Sequence, residues 1–403
     1  MEIKKNFAWP VTILCKFDYK SLKECIEQNK DLFHAKKIII FGAGIRGTVF
    51  SVLLEKFGFK NIIFTDNNES KIGGMINKYD IIAYNDILSM KKEDCVVIIS
   101  VENGYTIKKQ LENDGFIENK NYFYIDTHLY DMFVEEYLRG DEIDTIILGD
   151  CGVTDISMND TNFTNLSDML KNKLDAQKTK VLAIHAMNMC AFYHVLNSYI
   201  KCKSKPKKIA IMANFETFTG KQHILPRSQH SILFKMLNNI NKDNDELRQY
   251  ANLTKERFDN FKMDYFTTST NEFNNNKQIT NDKIVLKMNY MYSLKEDNEC
   301  IIYMKKIIEL CKLENIKLLF FIPPANYMYA QQLFGDSFKH KYEQNVHVLT
   351  DIFDKTKTMW IDLSYVLTSS QFADLHTIDE TANYEGREIV SDILVEKLKT
   401  MEA

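Results

Sequence analysis

The sequence is short of the features that mark a secreted, metal-held or membrane-crossing protein. Its eight cysteines are scattered, with no Cys-x-x-Cys pair and no Cys/His spacing of a metal site. Neither a disulfide framework nor a zinc site therefore organises the chain, and no metal is expected. No apolar run approaches the ~18–20 residues that span a bilayer. Met1 to Asp18 lacks a long apolar core followed by a small-residue cleavage site, so no signal peptide is expected. Charge of neither sign dominates: the formal net charge is −4, which excludes bulk electrostatic binding to DNA or RNA. Glycine and proline are scarce, at 14 and 5 of 403 residues, so each is read for its position. The expectation is a cytoplasmic protein with reduced thiols, no membrane span and no nucleic-acid partner.

What is present is apolar sequence in quantity, 45% of 403 residues, enough for two domains. Lys36 to Phe41 reads as a buried strand and runs into Gly42-Ala43-Gly44-Ile45-Arg46-Gly47, a complete G-x-G-x-x-G. A helix follows with Phe50, Leu53, Leu54 and Phe57 on one face, and Gly58 ends it. The next strand, Asn61 to Thr65, finishes at Asp66, close to the ~20-residue distance at which an acid holds a ribose hydroxyl. In this pattern Gly42 serves the turn, Gly44 lets a phosphate approach, Gly47 lets helix and strand pack, and Arg46 can meet a phosphate. The first and third roles hold equally in a domain that binds nothing, and Arg46 reads equally as a solvated loop cation. Two readings stay open: a nucleotide or nucleotide-sugar site at Gly42, Gly44, Arg46, Gly47 and Asp66, or a purely architectural domain. His128 to Gly140 reads as a linking helix. The charged Arg139-Gly140-Asp141-Glu142 marks a boundary between a Rossmann-like domain at 1–140 and a second domain at 141–403.

The second half again alternates strands with helices. Candidate strands are Thr145 to Leu148, Val181 to Ile184, Lys208 to Met212, Lys317 to Ile322 and Met359 to Asp362. Helical stretches include Ile301 to Leu313 and Gly386 to Lys399, and the alternation implies a parallel sheet covered on both faces. The first strand ends in Gly149-Asp150-Cys151-Gly152, which puts the Cys151 thiol on a sharp turn at the edge where open α/β sheets bind ligands. Residues 220–290 break the alternation and read as an insertion, in which His223, Arg227 and His230 are either solvated polar residues of a loop or contacts for an anionic or sugar substrate.

The Gly-Asp-Cys phrase resembles block I of the SGNH (GDSL) hydrolases, whose pattern is Gly-Asp-Ser. The fold class this implies is two doubly wound parallel-sheet domains, Rossmann-like and then an SGNH-like α/β/α sandwich. The resemblance makes Asn214, after the third strand, an oxyanion donor; Asn188 or an amide near it stands where the family's second-block glycine would be. Pro323-Pro324-Ala325-Asn326-Tyr327-Met328-Tyr329 is similar to the strand-four edge of SGNH proteins acting on bacterial surface polymers. Toward the C-terminus two alignments stay open. One makes Asp374 and His376 the catalytic acid and base; the other keeps the spacing back from Gly386, placing Asp379 near the acid and Thr381 at the base. The stretch from about 36 to 125, with Asp66-Asn67-Asn68, resembles small Rossmann domains attached to bacterial glycan and sugar-nucleotide enzymes. Together these imply an acyltransferase or esterase with a Cys151 nucleophile, acting on a glycan or related small-molecule ester in envelope biosynthesis. Its partners would be a glycan or sugar-nucleotide substrate and an acyl donor, with no cofactor for the acyl chemistry itself. Two other readings compete: a glycan- or sugar-nucleotide-binding protein that keeps the SGNH fold without its catalysis, and an NAD-dependent sugar oxidoreductase.

Overall fold

A computed structural model describes residues 4–8, 13–14, 16–101, 104–125, 129–140, 142–185, 187–218, 230–242, 244–251, 289–375 and 381–401. The chain divides into two compact units, Met1–Leu129 and Tyr130–Ala403. Each is a mixed α/β unit built on a largely parallel sheet.

In the first unit two helices, α1 (Lys16–Gln28) and α2 (Lys30–Ala35), precede strand β1 (Lys37–Phe41). Then come α3 (Ile45–Lys56), β2 (Ile62–Thr65), the short pair β3 (Met75–Ile76) and β4 (Tyr79–Ile82), α4 (Tyr84–Leu88), β5 (Cys95–Ile99), α5 (Tyr105–Asn113) and β6 (Tyr122–Tyr124). The sheet order is β3-β4-β2-β1-β5-β6, parallel except for the β3–β4 hairpin. β1 is central, with Ile38 to Phe41 and their β5 partners fully buried. That explains why both strands read as unbroken apolar runs rather than alternating ones. The winding reverses between β1 and β5, and a crevice at the strand ends opens at such a switch point.

The second unit takes in α6 (Leu129–Leu138), the helix expected as a linker. Its Tyr137 ring meets Tyr199 edge-on at 5.4 Å, and its Tyr137 carbonyl accepts from the buried Lys180 ammonium at 2.8 Å. β7 (Thr145–Gly149) leads into a single turn, α7 (Cys151–Thr154). After it come α8 (Leu166–Lys173), β8 (Thr179–Ala183), α9 (Met189–Cys202) and β9 (Lys208–Met212). Within 220–290 the described part holds α10 (His230–Ile240) and α11 (Asp245–Ala251); His223 and Arg227 lie outside the described residues. The unit closes with α12 (Glu299–Leu313), β10 (Lys317–Ile322), α13 (Tyr327–Phe334), α14 (Asp336–Thr356), β11 (Met359–Asp362) and α15 (Tyr384–Thr400).

Its five strands are all parallel, in the order β8-β7-β9-β10-β11. One face of the sheet, through Ile147, Val181, Ala210 and Leu319, packs on Leu166 and Leu170 of α8 and Val390, Leu394 and Leu398 of α15. The alternate residues, Ile146, Leu148, Ile209, Ile211 and Phe320, are buried too. Phe320 stacks on Phe353 of α14 at 4.8 Å, so helices cover both faces. The winding reverses between β7 and β9, and in open α/β sheets ligands bind at the strand ends flanking such a reversal.

Candidate functional site

Gly149 closes β7 because nothing larger fits: a Cβ there would meet the Val153 side chain at 2.4 Å. The chain can then fold straight back into α7. Asp150 caps that turn, its Oδ1 accepting the Gly152 amide at 3.0 Å. Its Oδ2 accepts from Asn214 Nδ2 at 2.9 Å. Asp150 and Asn214 are each only 2% exposed, so this bond joins the ends of β7 and β9 inside the protein, at the reversal point of the sheet. Asn214 is fixed from its other end as well, Oδ1 accepting the Glu216 amide at 3.0 Å. Cys151, next to Asp150, is partly exposed, whereas Cys95, Cys190, Cys300 and Cys311 are buried.

These bonds bear on Asn214, the oxyanion donor the resemblance implies, and on the Gly152 amide beside the nucleophile. The Gly152 amide is spent on Asp150, because a backbone N–H has one hydrogen to give. The Asn214 amide group gives a hydrogen to Asp150. Asn188 is the buried N-cap of α9, its side-chain oxygen accepting the Ala191 amide at 3.0 Å.

A second polar pair stands beside the same turn. Asp155 donates its amide to the Cys151 carbonyl at 2.7 Å, and its Oδ1 lies 2.9 Å from Nε2 of His185. The Asp155 carboxylate is buried at 7% exposure while the His185 ring is 37% exposed. Sequence reasoning assigned neither residue to a catalytic role. Thirty positions separate them, and only the pairing of β8 with β7 brings them together.

Of the C-terminal pair, Asp374 is described and His376 lies outside the described residues, as does Asp379. The loop carrying Asp374 is tethered to the end of β10. Asn326, fully buried, directs Nδ2 toward the carbonyls of Asp374 and Leu375 at 3.5 and 3.4 Å, and its Oδ1 accepts from Ser369 at 2.7 Å. Thr381, the residue at the base position in the competing alignment, is buried, its carbonyl accepting the Ala373 amide at 2.9 Å. A threonine hydroxyl is no proton acceptor near neutral pH, so that alignment carries no base.

In the first unit Gly42 has φ +119°, and a Cβ at Gly47 would sit 2.0 Å from the Gly42 carbonyl oxygen; both glycines are demanded by the fold. A Cβ at Gly44 meets nothing within 4 Å, so the protein itself does not require a glycine there. Arg46 is turned inward, Nη2 on the Ile125 carbonyl at 2.6 Å and Nη1 on that of Val101 at 3.3 Å, with its guanidinium over the Phe50 ring. It ties the loop to the sheet. Asp66 accepts from the Ala43 amide at 2.7 Å, the Asn68 amide at 2.8 Å and Lys71 at 2.9 Å. Burial pushes its carboxyl up, and these three donors outweigh that and hold it below the ordinary carboxylate value. Three of a carboxylate's roughly four acceptor positions are thus filled. Gly44 thus leaves its side of the loop open, while Asp66 is held by donors from within its own unit.

Fold and site together define a two-unit α/β protein with a polar cluster at the strand ends of its second unit. Residues 34–122 match the family model described as C2185-like, N-terminal. No curated protein matches the chain. Among the described residues, no helix is long and apolar enough to cross a membrane, and no three His, Cys, Asp or Glu side chains gather to hold a metal ion.

Proposed function

We propose that the second unit is an SGNH-like acyltransferase or esterase in which Cys151 is the nucleophile. The observation that carries this is the joining of Asp150 to Asn214 at 2.9 Å beneath a partly exposed Cys151, at the reversal point of a parallel sheet. The Cys151 thiolate adds to the carbonyl carbon of an ester, and the Asn214 side chain stabilises the oxyanion. The C–O bond breaks, the leaving alkoxide takes the proton that a base removed from the thiol, and a thioester remains. A hydroxyl of an acceptor, or water, then attacks the thioester and releases the thiolate. A substrate of glycan or related ester character, in bacterial envelope biosynthesis, is supported by the resemblances of the strand-four edge and of the first unit. The half-exposed Tyr365, edge-on to Tyr327 at 4.8 Å, adds an aromatic surface suited to a sugar face.

A nucleotide-sugar at the first unit's glycine loop is supported by Gly44 alone, since its missing side chain answers no need of the fold. Approach there would bring a phosphate to the loop's backbone amides, with Lys71 the nearest ammonium to Ala43, at 2.9 Å from its carbonyl.

The test is hydrolysis of p-nitrophenyl acetate and acetyl transfer to added glycans by the full chain. Cys151→Ala is expected to abolish both, while Cys202→Ala, at an exposed thiol, leaves both unchanged. Full activity in Cys151→Ala overturns the proposal.

A further inference from the structure

We infer that His185, oriented by Asp155, is the base that takes the Cys151 proton. This rests on the reading of Cys151 as nucleophile. Ala183 of β8 pairs in register with Gly149 of β7. His185 and Cys151 each lie two residues beyond that pair, so neighbouring parallel strands carry both to the same edge of the sheet. The turn tightens the arrangement, because Asp155 reaches back with its amide to the Cys151 carbonyl at 2.7 Å and forward with its carboxylate to His185 at 2.9 Å. One residue thus links the nucleophile's backbone to the imidazole.

The chemistry follows from which nitrogen is engaged. Nε2 gives its hydrogen to Asp155, so the neutral ring carries its basic lone pair on Nδ1. Nδ1 takes the Sγ proton, the imidazolium is stabilised by the buried carboxylate, and the same proton passes to the leaving alkoxide. This is the nucleophile–base–orienter logic of acyl-transfer sites, assembled from two adjacent strand ends. As the group that exchanges a proton with Sγ, His185 is the catalytic residue; Asp155 is a positioning residue. The other carboxylates that the described residues bring to the ends of β7, β9 and β10 are Asp150, Glu216 and Asp374.

The experiment is the rate of Cys151 alkylation by iodoacetamide against pH in the full chain, mapped by peptide mass spectrometry, with the exposed Cys202 as internal reference. In the wild type Cys151 is expected to titrate below the ~8.5 of a free thiol. His185→Gln should raise that midpoint to the Cys202 value and slow alkylation at pH 7 about tenfold or more. Asp155→Asn, which keeps shape and hydrogen-bonding capacity, should give a smaller rise in the same direction. Unchanged thermal melting shows that the variants are folded. If His185→Gln and Asp155→Asn keep the wild-type profile, or if His376→Gln alone raises the midpoint, the inference is overturned while the nucleophile stands. If wild-type Cys151 reacts no faster than Cys202 at any pH, the nucleophile reading itself falls.

Discussion

His194 offers a stability prediction whose size follows from its surroundings. It lies in α9, fully buried, among the rings of Tyr193, Phe234 and Tyr303 at centroid distances of 5.2, 5.6 and 5.9 Å. Glu246 is 4.0 Å from Nε2, and Lys306 pairs with that carboxylate at 3.3 Å. Burial pushes the imidazole down from 6.5 to about 4; attraction to Glu246 opposes the shift and Lys306 adds to it. At pH 7 the ring is largely neutral whether the chain is folded or not. As pH falls through 6.5 the unfolded chain takes up a proton that the folded protein refuses until about pH 4, so stability drops with acidification. At about 1.4 kcal/mol per pH unit, the window from 6.5 to about 4 is worth on the order of 3 kcal/mol. His194→Phe places another ring among rings and removes the titration. Urea unfolding of both proteins from pH 7 to about 4 should show the variant gaining that amount relative to the wild type, with the gain growing as pH falls. A difference that stays flat across the window refutes the reasoning.

Four further outcomes are expected. Arg387 is fully buried and pairs with Asp160 at 2.8 Å while holding the carbonyls of Ala382 and Thr164, so Arg387→Met should cost about 3–5 kcal/mol in urea unfolding by leaving Asp160 buried without its cation. Gly47→Ala forces a methyl group against the Gly42 carbonyl and should lower stability by about 1–3 kcal/mol or more. Gly44→Ala meets open space, so it should leave the melting temperature unchanged and weaken nucleotide-sugar binding, measured by calorimetry, if the loop receives a phosphate. Asn214→Ala should reduce acyl-ester turnover about 10²–10³-fold, read as a fall in kcat, by removing the oxyanion donor.

Much of the fold is legible in the sequence because parallel strands buried on both faces leave continuous apolar runs. Lys208–Met212 and Lys317–Ile322 form strands at the positions those runs imply. Strand order is not legible, since β8 pairs with β7 through contacts that no local pattern encodes. That gap hides the Asp155–His185 pair, two ordinary polar residues until the register places them together. The G-x-G-x-x-G shows which glycines the turn needs. It does not show that Arg46 spends its guanidinium on the carbonyls of Val101 and Ile125, far along the chain, or that Lys71 and two amides fill Asp66. Asn326 is similar: its place after two prolines suggests a rigid turn, and its tether to the Asp374 loop emerges only in three dimensions.

The most direct test of the central claim is to trap the acyl-enzyme. The full chain is mixed with p-nitrophenyl acetate, quenched in acid to preserve thioesters, and mapped by peptide mass spectrometry. The expected result is one hydroxylamine-labile acetyl group on the peptide carrying Cys151, lost in Cys151→Ala. Acetylation confined to the exposed Cys202, or none on any cysteine, contradicts it.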